Sequence, residues 1–312
     1  MITRKDKKKY LNNPEYNMAL EKYISNWYYA NKNGENGTVE YVYNVSNELL
    51  DRAFQTYGNL EGKRVLTVGS SGDQLLNAVF YGAEDVTLID ANLQAKNWIE
   101  YKIAMIKNFD FRTFCKYMKP NGYFDDGSVF DMNVYQKIFK DLSPEVQVFW
   151  GVILLEEDYS FDIVEKMFNT QYRFSSKYYH DEESYNKLKE KLEHVNINYI
   201  TAELTDFPKS VQGKFDLILL SNIAEFYITS IYRVFKFRKV VEKLFKKNLN
   251  AGGKIQVCYD FNNGDTPDIA RIFNSKNVSK TCLNQDDCTE KHRYNYVWAK
   301  EADVQESENV ID

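Results

Sequence analysis

One stretch, Lys63 to Asn108, constrains how the whole chain can fold. Arg64-Val65-Leu66-Thr67-Val68 is a short, apolar, β-favouring run that stops at Gly69-Ser70-Ser71-Gly72-Asp73-Gln74. Leu75 to Tyr81 has helical character, and Gly82-Ala83 ends it. Val86-Thr87-Leu88-Ile89 is a second apolar run, closed by Asp90-Ala91-Asn92. Parallel strands need a crossover between them, so two buried runs joined by a helix read as a βαβ unit. The expected class is therefore α/β, with the glycine turn at the carboxyl end of the first strand, where such sheets bind ligands.

Small residues in that turn let backbone approach a ligand, and the helix that follows aims N–H groups at it. Asp90 lies 21 residues after Gly69, about the distance at which a carboxylate reaches a ribose hydroxyl pair. The turn is not G-x-G-x-x-G, because Ser70 and Ser71 stand where a pyrophosphate binder carries glycine. A nucleoside without a diphosphate fits better, and S-adenosylmethionine is such a molecule. An ordinary strand–helix turn followed by an N-cap Asp accounts for the same residues.

Val65 to Gln74, followed by Leu88-Ile89-Asp90-Ala91-Asn92, resembles the cofactor half of class I S-adenosylmethionine-dependent methyltransferases. Asp90-x-Asn92 and Lys102-Ile103-Ala104 more narrowly resemble betaine-lipid-synthase-type enzymes. Those transfer a 3-amino-3-carboxypropyl group from S-adenosylmethionine to diacylglycerol. The chain departs from that subfamily in reading Asn92-Leu93-Gln94-Ala95 where Asn-Pro-Ala-Gln is usual, and in lacking a Trp-Glu-Asp-Pro segment. The superfamily resemblance covers roughly Lys63–Asn108 and Asn196–Phe261. It implies a Rossmann-like sheet with helices on both faces and S-adenosylmethionine as cofactor. The implied cofactor-binding residues are Gly69, Ser70, Ser71, Gly72, Asp73, Gln74, Asp90, Ala91 and Asn92.

Beyond that unit, Met18 to Ala30 and Asn47 to Tyr57 read as helices of an N-terminal extension, 1–60. Leu93 to Lys107 is an expected helix burying Trp98, Ile99, Ile103 and Ile106. From Phe111 to about His194 several helical pieces rich in aromatics interrupt the α/β pattern. A plain connection would need far fewer residues, so roughly eighty are surplus. They read as an inserted cap, 111–194, whose aromatics either line an acceptor pocket or form a small core of their own. The α/β domain is then 61–110 and 195–300, with an acidic tail from 301 to 312. Glu182 to Glu193 reads as a solvated charged helix.

Asn196 to Ile200 returns to a strand, and the acid beyond such a strand lies near the adenine in the class I family. By that resemblance Glu203, Leu204 and Asp206 are cofactor residues; a turn cap is the plainer reading. Lys214 to Asn222 is the clearest buried strand and corresponds by resemblance to the one whose tip faces the sulfonium. Ser221 and Asn222 are placed on the donor or acceptor, and Glu225 or Tyr227 can take a proton from the nucleophile. Capping of a sheet edge explains the same four residues. The absent Pro-Pro pair argues against a base methylase.

Thr229 to Asn248 is a basic amphipathic helix, with Lys236, Lys239, Lys243, Lys246 and Lys247 at three- and four-residue steps. It reads either as a surface for anionic headgroups or as a solvated face. Asn250-Ala251-Gly252-Gly253 is expected to end it before a strand at Lys254–Tyr259, and 268–300 to give a last helix and a hairpin. A formal net charge of −5 weighs against a general nucleic-acid binder. The expected acceptor is thus a small molecule or lipid, with peripheral membrane contact conceivable and nucleic acid set aside. Cys115, Cys258, Cys282 and Cys288 lack C-x-x-C spacing, and His180, His194 and His292 are scattered, so no metal site is expected. Reduced thiols and the absence of an apolar run of spanning length point to a cytoplasmic protein. The function these features imply is group transfer from S-adenosylmethionine, with 3-amino-3-carboxypropyl transfer favoured over methyl transfer because of Asp90-x-Asn92 and Lys102-Ile103-Ala104. Its alternative is a non-catalytic module that keeps the nucleoside site; Thr67, where many relatives carry an acid, leans that way.

Overall fold

The computed structural model describes residues 45–46, 48–92, 95–118, 132–155, 176–224, 231–258, 278–283 and 296–302. The expected helix at Met18–Ala30, the aromatics from Tyr159 to Phe174, the last helix after 268 and residues 303–312 lie outside them. The chain divides into two compact units. One holds 48–68, 74–91 and the chain from His194 onward; the other holds the residues up to Asn47, Gly69–Asp73 and Asn92–Glu193.

The first unit contains a seven-stranded sheet: β1 (Arg64–Val68), β2 (Asp85–Asp90), β3 (Asn196–Thr201), β4 (Phe215–Leu219), β5 (Leu249–Cys258), β6 (Val278–Cys282) and β7 (Tyr296–Glu301). Their order across the sheet is β3-β2-β1-β4-β5-β7-β6. The pairs from β3 to β5 are parallel, and β7 runs antiparallel to both β5 and β6. This is the Rossmann-like α/β arrangement expected, with an antiparallel edge. Its central strands are near-continuous apolar runs because helices cover both faces of such a sheet: Val65, Leu66, Val86, Ile89 and Ile218 are all fully buried.

Helices α1 (Leu50–Tyr57) and α2 (Asp73–Phe80) flank β1 in sequence, and the 18-residue α9 (Ile231–Asn248) precedes β5. Helix α9 buries Phe237, Val240, Val241 and Leu244, at steps of three and four, against Ile218, Leu249 and Ile255. Each such side chain contributes roughly 1.5–3 kcal/mol by leaving water. The helix does not end at the Gly-Gly pair as expected. It passes directly into β5 at Leu249, and Asn250–Gly253 lie within the strand. The register of β4 on β5 shifts between Phe215 and Leu217. Gly252 sits there at φ +70°, a left-handed conformation that glycine adopts without strain.

The second unit is helical: α3 (Ala95–Asn108), α4 (Phe111–Met118), α5 (Met132–Ile138), α6 (Pro144–Leu155) and α7 (Glu182–Leu192). Helix α3 packs against the other four. The buried side of α3 includes Trp98, Ile99, Tyr101, Lys102, Met105 and Ile106, while Ile103 is only half-buried, contrary to the expected face. Trp98, Tyr101 and Trp150 form a tilted aromatic cluster with centroids 4.8–6.2 Å apart. The described aromatics therefore make a core of this unit rather than a pocket wall. Nor is α7 merely solvated: it buries Tyr185, Leu188 and Leu192. Tyr185 donates to the carbonyls of Ile106 and Phe109, capping the end of α3. Asp181 caps α7 by accepting from the amides of Glu183 and Ser184. A short helical segment, α8 (Phe207–Ser210), follows β3 in the first unit. Among the described residues no helix is long and apolar enough to cross a membrane.

Candidate functional site

In the sheet unit, the chain moves outward from β1 to β2 and β3, then returns to the other side of β1 as β4. Connections thus diverge at the neighbouring carboxyl ends of β1 and β4, the position at which open α/β sheets leave a crevice for ligands. A buried polar chain crosses it. Thr67, on β1, donates its hydroxyl to Gln74 Oε1 at 2.7 Å. Gln74, on α2, donates from Nε2 to Glu48 Oε2 at 2.8 Å. The hydroxyl of Ser221, just past β4, donates to the other carboxylate oxygen of Glu48. Glu48 is 3% exposed and Ser221 5%.

Ser221 is held at φ +50°. A non-glycine residue in that region costs about 1–3 kcal/mol and persists only where its surroundings fix it, which is most often at a functional site. Two residues beyond β1, Ser70 is also left-handed, at φ +44°. Gln256, on β5, pairs with Leu219 of β4, itself the partner of Thr67. It is therefore on the same face as Thr67; it is buried, and its Oε1 has no hydrogen-bond partner among the described residues.

Asp90 closes β2, half-buried, and its carbonyl accepts from the Ala202 amide at 2.9 Å. Glu203 is exposed just past the end of β3, the strand whose Thr201 pairs with Asp90. The two acids thus stand at neighbouring parallel strand tips. Asp206 is turned to a local task, pairing with Lys209 at 3.3 Å on the surface, and Leu204 is buried in the sheet's core.

The helical unit holds a second buried polar cluster, centred on Asp73. Its Oδ1 accepts from Lys102 Nζ at 2.6 Å and from the Tyr179 hydroxyl at 2.5 Å. Its Oδ2 accepts from the Ser46 amide at 2.6 Å and the Ser71 hydroxyl at 3.0 Å. Lys102 also donates to the Ser71 carbonyl at 2.8 Å. Four donors fill the lone-pair positions of a carboxylate. Burial pulls the Lys102 ammonium down from its ordinary pKa, with Asp73 opposing. Burial first, and then the Asp73 charge, pushes the Tyr179 phenol well up, which keeps it a donor. A Cβ on Gly72 would lie 2.9 Å from Ile99 Cγ1, and the residue has φ +81°. Packing against α3 and the left-handed backbone both demand glycine at 72.

Of the residues singled out in the turn, Gly69, Ser71, Gly72 and Asp73 are buried, and Ser70 is half-buried. Gln74 and Ser221 belong to the polar chain; Ala91, Asn92 and Asn222 are half-buried. Glu225 and Tyr227 lie outside the described residues. Sequence reasoning missed Glu48, which precedes α1 and reads as a helix-start acid. It also missed the burial of Lys102 and the role of Tyr179. The threonine at 67 makes physical sense here, because Gln74 links it to a carboxylate from another segment.

No family model matches this chain, and no curated protein matches it. Solved structures resemble it over most of its length. The rRNA methyltransferase AviRa from Streptomyces viridochromogenes is 13% identical with a TM-score of 0.45, over 87% of this chain and 90% of that one. An rRNA methylase from Streptococcus thermophilus is 9% identical with a TM-score of 0.37, over 81% and 94%. A Streptococcus mutans protein described as a methyltransferase in complex with SAH is 9% identical with a TM-score of 0.38, over 80% and 96%. Likenesses this remote carry no argument about activity. Two of the three are nonetheless described as rRNA methylases, against the expectation of a small-molecule or lipid acceptor with nucleic acid set aside. The net charge behind that expectation averages a surface on which α9 carries seven basic residues and one acid.

Proposed function

We propose that this chain binds S-adenosylmethionine at the carboxyl edge of its parallel strands and transfers a group from it to a nucleophile. One observation carries the reading: the buried Glu48 carboxylate, bonded to a strained Ser221 where β1 and β4 diverge. The donor set suits the molecule. Asp90 accepts from the ribose hydroxyls, Glu203 from an adenine amine, and Glu48 from the ammonium of the amino-acid part. Gln256 Oε1 is a buried acceptor of the kind a ligand N–H satisfies.

When bound, S-adenosylmethionine supplies a carbon already activated by a sulfonium leaving group. The chain's part is then to orient the nucleophile and keep water out. Glu225 and Tyr227 remain the proposed proton acceptors. The 3-amino-3-carboxypropyl route rests on Asp90-x-Asn92 and on Lys102-Ile103-Ala104. The pairing of Lys102 with Asp73 accounts for that lysine without any reaction, which makes methyl transfer the simpler proposal. Asp90-x-Asn92 keeps the aminocarboxypropyl route as the second.

Calorimetry with S-adenosylmethionine tests the binding. Glu48→Gln keeps the size and shape of the side chain and removes its charge, so affinity should fall by about tenfold or more, the equivalent of one charge-assisted hydrogen bond. No heat from the unaltered chain at millimolar donor would sink the proposal in favour of a non-catalytic module. Incubation with labelled donor and cell extract then separates the routes: S-adenosylhomocysteine marks methyl transfer, methylthioadenosine the other.

A further inference from the structure

Helix α9 has a second face that the fold does not use. Opposite the buried Phe237, Val240, Val241 and Leu244, the residues Lys236, Lys239, Lys243, Lys246 and Lys247 line its outer side. They run about 16 Å along the helix at 1.5 Å per residue. The lone acid of the helix, Glu242, is taken by Arg238 at 3.0 Å. At the amino-terminal end of this row stand the chain's exposed large hydrophobics among the described residues, Tyr232 at 69% and Phe235 at 54%. Lys236 Nζ lies 4.8 Å from the Tyr232 ring centroid, so a cation already rests on one ring face. On β7, Lys300 sits over Phe245 of the same helix at 3.7 Å.

A row of ammonium groups matches a polyanion, and exposed rings beside it match the flat faces of unstacked bases. We infer that this face of α9 docks single-stranded RNA, with the lysine row on the phosphates and Tyr232 and Phe235 stacked on bases. A lipid surface fits poorly, because an interfacial helix needs its apolar face and that of α9 is spent in the core. A duplex keeps its bases stacked, whereas RNA loops and single strands splay theirs out. The inference stands on this helix alone and does not depend on the donor-binding reading.

The test is fluorescence anisotropy of the full chain with a labelled oligouridylate long enough to cover the helix, across a salt series. Duplex RNA and oligothymidylate of the same length run in parallel, with phosphatidylserine vesicles in a co-sedimentation arm. The oligouridylate should bind most tightly, with affinity falling as salt rises. Replacing Lys239 and Lys243 by Gln together should reduce the log–log salt slope by roughly 1.4, about 0.7 for each phosphate that is no longer neutralised. Replacing Tyr232 and Phe235 by Ala should weaken binding by about thirtyfold or more while leaving the slope in place. All four side chains lie outside the core, and an unchanged circular dichroism melt verifies the fold of each variant. Absence of oligouridylate binding, binding indifferent to both pairs, preference for duplex or oligothymidylate, or sedimentation with vesicles alone would each overturn the inference.

Discussion

Two buried carboxylates, Asp73 and Glu48, use their charge in different ways. Asp73 is gripped by an ammonium, a phenol, an amide and a hydroxyl inside the helical unit. Glu48 is bonded to a serine hydroxyl and a carboxamide at the sheet's divergence point. The first arrangement fixes a backbone turn. The second presents a negative charge where a parallel sheet takes its ligand. A buried acid is thus no evidence of a site by burial alone; what separates the two is the kind of partner and the place in the fold.

The contrast is broken most severely at Lys102. Lys102→Ala removes the ammonium and leaves a buried carboxylate, which should cost about 3–5 kcal/mol; urea unfolding followed by circular dichroism measures it. Pairing Lys102→Met with Asp73→Asn should recover much of that loss, and a double variant no better than the single one would contradict the network. Glu48→Gln should change stability by no more than about 1 kcal/mol, since the amide still accepts from Ser221. A loss as large as that at Lys102 would make Glu48 a scaffold group too and erase the contrast. The smallest effect concerns dryness near the first cluster. Burial raises the Cys115 thiol to about 12, leaving at pH 8 a thiolate fraction on the order of one in ten thousand. Cys115 should therefore resist alkylation in the native chain and react on unfolding, with mass mapping to identify the peptide. Native-state labelling at neutral pH would show the helical core to be wet.

Much of the fold was legible because parallel strands announce themselves as apolar runs. Val65–Val68, Val86–Ile89 and Phe215–Leu220 are such runs, and Gly82 and Asp90 close their segments. The passage from α9 into β5 was misread because Gly252-Gly253 has the chemistry of a helix stop, yet here it absorbs a register shift within a strand. The site was legible only in part. Strand-tip residues such as Asp90, Glu203 and Ser221 follow from topology. Glu48, Lys102 and Tyr179 do not, because their roles depend on partners 173, 29 and 106 residues away. No periodicity encodes such pairings. Charge misled for a related reason: the formula of the whole chain conceals where the lysines stand.

Tyr179 belongs to the segment that looks like an insertion, but its hydroxyl is bound to the aspartate that begins α2. Shortening the chain to a minimal nucleotide-fold core would therefore remove a hydrogen-bond donor that Asp73 relies on. The extra helices therefore carry an obligation to Asp73, and are to be trimmed only together with a neutral residue at position 73.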